Sequence, residues 1–305
     1  MARRMETKSA RLLALLLTII MLGSVLAYAV KQSNTLVERD VKFEFPNGFS
    51  GYISYVPSGA DQVIYVNYDG ADAELRTILN DIVANNLNYD FFKNLRTSGN
   101  IHRVLISIYP GMYPEILFLI NTSKSKVYFS YDSKEEYLGY TVKTKQGISL
   151  VESTSPFILG TSQIVVKTVE LISSGGKGSL NNDVGKFITR LPGGDYNLVM
   201  LLQGNAIKGL ARGNATDFFD FYFAGYRINQ TQNGTFYEKV VAMNFTKNGW
   251  FVKSNKTLYY NYTNFKDGLS VAIMRDTNLT KLMSLEPEMR RIEIKPVQES
   301  SNSGE

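Results

Sequence analysis

The chain has no cysteine, one histidine, one tryptophan and eight prolines. Without cysteine there is no disulfide, no thiolate nucleophile and no cysteine-ligated metal. A single histidine, His102, excludes a His-rich zinc site. Any Ser-His-Asp triad would have to use it, and its position at the mouth of a strand predicted over 103–109 names no partner. A surplus of one charge is missing too. Lys+Arg number 33 against 28 Asp+Glu, but residues 1–29 hold four of the basic and one of the acidic residues, leaving 29 against 27. A nucleic-acid surface would show a basic stripe with interleaved aromatics, and none is present. The run Ser174-Gly175-Gly176-Lys177-Gly178-Ser179 is no phosphate loop: Gly178 follows the lysine where Ser or Thr is required, and the run follows a helix, not a strand. No acidic loop matches a calcium hand, and no cofactor site is read.

The N-terminus is the most informative stretch. Arg3, Arg4, Lys8 and Arg11 precede an uncharged run over 12–30, the pattern of a segment sent to a membrane with its basic end left inside. The run lies within the roughly 17–25 residues a spanning helix needs. Ala27-Tyr28-Ala29 also has the small-x-small pattern of a signal-peptidase site. Two expectations stay open: residues 1–30 are a cleaved signal peptide, or a membrane anchor, the membrane being a partner through 12–30 in that case. Residues 31–44 read as a tether, and the polar 296–305 as a disordered tail.

Between them the pattern is α+β. Leu75, Ile78, Leu79, Ile82 and Val83 form one apolar stripe, predicting a helix over 73–86. Further helices are predicted over 162–173, ended by Gly175-Gly176, and 182–191, stopped by Pro192. Short β-branched and aromatic runs predict strands over 62–68, 103–109, 115–120, 126–131, 137–143, 148–152, 157–159, 197–202, 218–227, 236–244, 250–253, 257–262 and 269–274. Hairpin-length loops between them suit antiparallel meanders.

One internal similarity organises these elements. At a constant offset of 135, Val63 matches Leu198, Ile64 matches Val199, Val66 matches Leu201, Ala71 matches Ala206 and Leu75 matches Leu210, after Pro57-Ser58-Gly59 and Pro192-Gly193-Gly194. The expectation is two similar modules, 45–180 and 181–295, each an antiparallel meander sheet with helices on one face, after an N-terminal hydrophobic helix. The same residues carry a resemblance. Tyr55-Val56-Pro57-Ser58-Gly59-Ala60-Asp61 before the strand resembles the opening of uncharacterised exported archaeal and bacterial α+β proteins, whose cue is a Tyr-x-Pro-x-x-Ala-Asp turn. The 157–160 strand, 162–173 helix and Gly175–Gly178 loop resemble their later unit. The resemblance implies the fold and an exported location, and it brings no catalytic residues. The Asn-, Thr- and Tyr-rich second half departs from it.

N-glycosylation sequons occur at Asn121, Asn214, Asn229, Asn233, Asn244, Asn255, Asn261 and Asn278. Seven of the nine asparagines within 214–280 belong to them, each ending in Thr. A sequon marks a surface position in an exported chain. Carboxylate pairs that would suit glycoside hydrolysis are Asp217 with Asp220, and Glu135-Glu136 in a predicted turn. Tyr259, Tyr260, Tyr262 and Trp250 could stack on sugar rings, or pack across strands. No catalytic set emerges. The expectation is a glycosylated, non-enzymatic envelope protein, located at the cell membrane facing outward or secreted, that binds or assembles with an envelope protein or carbohydrate; sugar on the sequons would sheathe that face of the second module against tight docking to a protein. A carboxylate-based hydrolase of envelope carbohydrate or peptide and a solute-binding receptor are the alternatives.

Overall fold

Twelve strands hydrogen-bond into a single sheet. The structure is a computed structural model that describes residues 37–38, 40–87, 90–123, 126–210, 218–231, 234–247 and 249–291. The leader, Asn214, Asp217, Asn233 and the C-terminal tail lie outside the described residues. In chain order the strands are β1 (Gln62–Asn67), β2 (Ile101–Tyr109), β3 (Glu115–Thr122), β4 (Ser133–Tyr137), β5 (Tyr140–Lys145) and β6 (Ile148–Val151). They continue with β7 (Phe157–Thr161), β8 (Leu198–Gln203), β9 (Phe219–Thr231), β10 (Gly234–Phe245), β11 (Tyr259–Asn264) and β12 (Leu269–Asp276). Their order across the sheet is β11-β12-β10-β9-β8-β1-β2-β3-β7-β6-β5-β4, and every neighbouring pair is antiparallel. The fold is α+β.

The central strands are apolar on both sides, as Val63-Ile64-Tyr65-Val66 and Leu198-Val199-Met200-Leu201-Leu202 show. Such strands need cover on both faces. On one face Tyr65, Leu105, Leu119, Leu201 and Phe223 pack under helices α1 (Gly48–Ile53), α3 (Ser162–Ser173) and α4 (Leu180–Ile188). On the other, Ile64, Val66, Phe118 and Met243 share a core with α2 (Ala73–Leu87) and α6 (Leu279–Ser284); α5 (Gly204–Leu210) follows β8 directly. A small sheet of Val37–Glu38, Lys126–Phe129 and Leu95–Thr97 covers that face as well. The helices therefore occupy both faces, not one. Each fully buried Leu, Val or Phe in these layers contributes about 1.5–3 kcal/mol.

Local signals set the helix ends. Asp72 Oδ1 accepts the Leu75 N–H and caps α2. Gly176 N–H donates to Leu171 O and closes α3, with Gly175 and Gly176 at positive φ, so the glycine-rich run is a helix terminator. Helix α4 begins two residues before its predicted start, because Leu180 is wholly buried and its N–H donates to Val56 O. Glu135 and Glu136 lie in edge strand β4 and not in a turn; charged residues suit an exposed edge. The predicted tether is partly folded: Val37–Glu38 pairs with Lys126–Val127, and Phe43–Glu44 runs parallel to Thr154–Ser155.

At the centre of the sheet Val63 pairs with Leu201 and Val66 with Leu198. The sequence offset equates Val63 with Leu198 and Val66 with Leu201. A two-fold axis normal to the sheet between β1 and β8 satisfies both relations. It carries β2 onto β9, β3 onto β10 and β7 onto β12 in the strand order, and the offset of 135 equates the residues of α1 with 183–188 in α4. The two halves thus share one uninterrupted sheet.

Candidate functional site

The junction of the halves holds a cleft of about 330 Å³, lined by Asn47, Gly48, Phe49 and Ser50 at the start of α1, by the 191–195 loop before β8, and by Ile188, Tyr196 and Phe223. Its loop wall is held from three sides. Arg227 Nη1 donates to Gly193 O at 2.5 Å, Tyr196 OH donates to Pro192 O at 2.9 Å, and Asn67 Nδ2 donates to Asp195 Oδ2 at 3.1 Å. Gly194 suits this loop, since its φ of +122° disfavours a side chain and an added Cβ would make the Arg227 guanidinium shift. Phe49 and Tyr196 both pack on Phe223, with ring centroids 6.0 and 5.5 Å apart.

Beneath the cleft lies a polar network. Arg103 Nη2 donates to Asp69 Oδ2 at 2.7 Å, its Nη1 to Asn47 Oδ1 at 2.8 Å and its Nε to Asn67 Oδ1 at 3.3 Å. Buried Asn67 is the hub, because its Oδ1 also accepts the Asp69 N–H. The Tyr65 hydroxyl is buried beside this network with no hydrogen-bond partner, and burial drives its pKa well up. Burial likewise pushes Tyr52 up to about 12. Burial raises the Asp195 carboxyl above the ordinary aspartate value, with Arg103 opposing and Asp69 adding to the rise.

A second network flanks the cleft. The Glu238 carboxylate is fully buried between Arg227, whose Nη2 lies 2.5 Å away, and Arg275, whose Nε lies 2.6 Å away. Burial alone would raise its pKa, but the hydrogen bonds from Arg275 and Arg227 outweigh it and hold the group below the usual glutamate value.

His102 does have a partner: its Nδ1 lies 3.2 Å from Asp69 Oδ1. The pair is half exposed outside the cleft, Asp69 is shared with Arg103, and no Ser or Thr hydroxyl among the described residues bonds the imidazole ring. Asp220 is exposed and accepts from Asn244 Nδ2 at 2.7 Å. Glu136 accepts from the Thr141 hydroxyl. Asp195 is the one carboxylate among the cleft's lining residues. Tyr259 and Tyr262 are exposed on edge strand β11, Tyr260 packs inward and Trp250 is half-buried.

The described sequons differ in setting. Asn255 and Asn261 are exposed, while Asn229 is half-buried in β9. Asn121 is half-buried, with Nδ2 3.5 Å from Ser155 Oγ. Asn244 is tied to Asp220, and Asn278 Oδ1 caps α6 by accepting the Lys281 N–H at 2.7 Å. Asn214 and Asn233 lie outside the described residues. No helix among the described residues is long and apolar enough to cross a membrane.

Sequence reasoning passed over Asp195, Asn67 and Arg103, which come from three distant segments. No sequence signal marks them, since the offset of 135 equates Asp195 with Ala60 and Asn67 with Leu202.

The AF_2048_N family N-terminal domain matches residues 44–173. Two solved structures are faintly similar. Crystal form I of TP0453 has a TM-score of 0.41 and 12% identity, covering 74% of this chain and 92% of that one. Crystal form IV has a TM-score of 0.40 and 10% identity, covering 76% and 96%. Likeness at that level says nothing of function. An uncharacterized protein of Archaeoglobus fulgidus is 32% identical over 304 residues, 95% of each chain. The chain belongs to the same family as that archaeal protein.

Proposed function

We propose that this protein is an extracytoplasmic cell-envelope component, glycosylated and either anchored or released, that binds or assembles with other envelope molecules and does not turn over a substrate. The basic-then-apolar leader carries the location, and the crowd of sequons over 214–280 supports it. One observation favours binding: the cleft between the halves presents a single carboxylate, Asp195, on an aromatic floor. General acid–base hydrolysis of a glycoside needs two carboxyls facing one bond. A solute-binding receptor is the second reading, favoured by the position of this cleft at the junction of the two halves, with Asn47, Ser50 and Asp195 converging on it.

The test is the intact mass of the native protein from membrane and medium fractions of its host. A membrane species that keeps residues 12–30 and carries sugar supports an anchored ectodomain. A medium species beginning near Val30 supports a released one. An unglycosylated, full-length chain in the cytoplasmic fraction would sink the envelope reading.

A further inference from the structure

The pseudo-two-fold axis supplies an internal control for the cleft. Each half has a helix, a Pro-x-Gly turn and a central strand, and each turn lies near the start of the other half's helix. At one junction the turn of the first half is sealed against α4. Ser58 N–H donates to Gly178 O, Leu180 N–H donates to Val56 O, and Pro57 bridges Ser179. The Gly59 N–H points at Asp183 Oδ2, 3.4 Å away.

At the other junction the equivalents of these residues separate. Asp183 is replaced by Gly48, and Leu180 by Phe45, at the same offset. Phe45 N–H donates to Ser155 O instead, because Phe43–Glu44 is drawn alongside Thr154–Ser155. The seal is gone, and the cleft occupies its place. Gly48, at a φ of +80°, stands close beside Asp195, where an added Cβ would already touch Asp195 Oδ1 at 3.4 Å; the aspartate of the sealed junction has no counterpart here. The opening is thus a substitution in the sequence, with its walls held rigid by Arg227, Tyr196 and Asn67.

The charge inside it is one-sided. Arg103 spends its donors on Asp69 and two asparagines, and Arg227 is committed to Glu238 and Gly193 O. Asp195 is held only by neutral donors, the Asn67 amide and the Tyr196 backbone. Asp195 is exposed and lines the cleft. An anion entering here would meet Asp195 head on. A cation would pair directly with Asp195, which the Arg103 charge offsets without a hydrogen bond, and an attached carbon chain would lie against Phe49, Leu191 and Pro192. The volume of about 330 Å³ lies at the small end of ligand clefts, roughly 300–1,000 Å³.

We propose that this cleft recognises an alkylammonium group, with Asp195 as its counter-charge and the apolar wall of Phe49, Leu191 and Pro192 receiving its carbon chain. The site takes the group from a free amine or from the side chain of an exposed lysine. This rests on the binding reading above and leaves location aside.

The test is titration calorimetry of the full chain with n-hexylammonium chloride, sodium hexanoate, 1-hexanol and N-acetyl-lysine amide. Hexylammonium is expected to bind, and to bind at least about tenfold more weakly to Asp195→Asn, the loss of one charge-assisted contact. Ser50→Trp, on the exposed face of α1, is expected to block entry, and decides the matter if Asp195→Asn does not fold. Binding of N-acetyl-lysine amide identifies the lysine side chain as a source; binding of hexylammonium alone identifies a free amine. Equal binding of hexanoate or hexanol, indifference to both variants, or no binding by any probe overturns the proposal. A cytoplasmic, sugar-free protein that still binds hexylammonium would overturn the envelope reading and leave this one standing.

Discussion

Lys239 and Glu286 form an ion pair across the second face of the sheet, with Lys239 Nζ 2.8 Å from Glu286 Oε1 and the lysine side chain wholly buried. The same ammonium donates to Leu285 O at 2.5 Å and stands over the Tyr226 ring. It pins the segment after α6 to β10. Burial lowers the Lys239 pKa, with Glu286 opposing. Removing the carboxylate leaves a buried cation without its counter-charge, so Glu286→Ala is expected to destabilise by about 2–4 kcal/mol. Lys239→Met, which removes the charge and keeps the chain's bulk, should cost less. Urea unfolding of both variants checks this; an equal or larger loss in Lys239→Met would refute it.

Glu238 sets an acid limit. Its folded-state pKa is lowered by Arg275 and Arg227 against the cost of burial, so its contribution is complete above the ordinary glutamate value and is lost as pH falls through the folded value. Glu238→Gln is expected to cost about 3 kcal/mol at neutral pH, since two arginines lose their shared partner. The deficit should shrink as the solution is acidified below about pH 4. A deficit that stays constant from pH 7 to pH 3 in thermal unfolding would contradict the assignment.

Gly194 couples the cleft wall to that network. Gly194→Ala is expected to destabilise by about 1–3 kcal/mol, because its φ of +122° disfavours a side chain and the new Cβ would strike Arg227 Nη1. The same change should displace the loop and weaken hexylammonium binding. A variant as stable as the parent in differential scanning calorimetry would show that the loop relaxes freely.

Sugar occupancy should follow side-chain access. Glycopeptide mass spectrometry of native protein is expected to find Asn255 and Asn261 occupied, since both side chains are exposed. Asn121 and Asn244 should be empty, being half-buried beside Ser155 and bonded to Asp220. Full occupancy of Asn244 with none at Asn261 would reverse the ranking and require attachment before folding.

Much of the fold was legible because strand and helix periodicities are local. The 162–173 helix was predicted with the bounds that α3 has, and the strand now called β1 stood out from its apolar run. Strand β4 was missed because Lys134-Glu135-Glu136 carries the charges of an exposed edge and looks like a turn. Helices α1 and α6, six residues each, are too short to show a repeat of apolar positions. The site was less legible still. His102 and Asp69 are 33 residues apart, and Asn67 and Asp195 are 128 apart; nothing local marks such pairs.

By itself, the amino-acid sequence determined the α+β class, most of the strands, the offset of 135 and the sequons, because these are properties of residue order over short windows or of direct self-comparison. Only the tertiary structure decided that the two halves share one sheet, that helices cover both of its faces, and that one of two equivalent junctions is open. Those outcomes depend on which strand pairs with which and on where Phe45 finds its acceptor. Such pairings are set by burial and hydrogen bonding between segments more than 100 residues apart, where no local pattern records the choice.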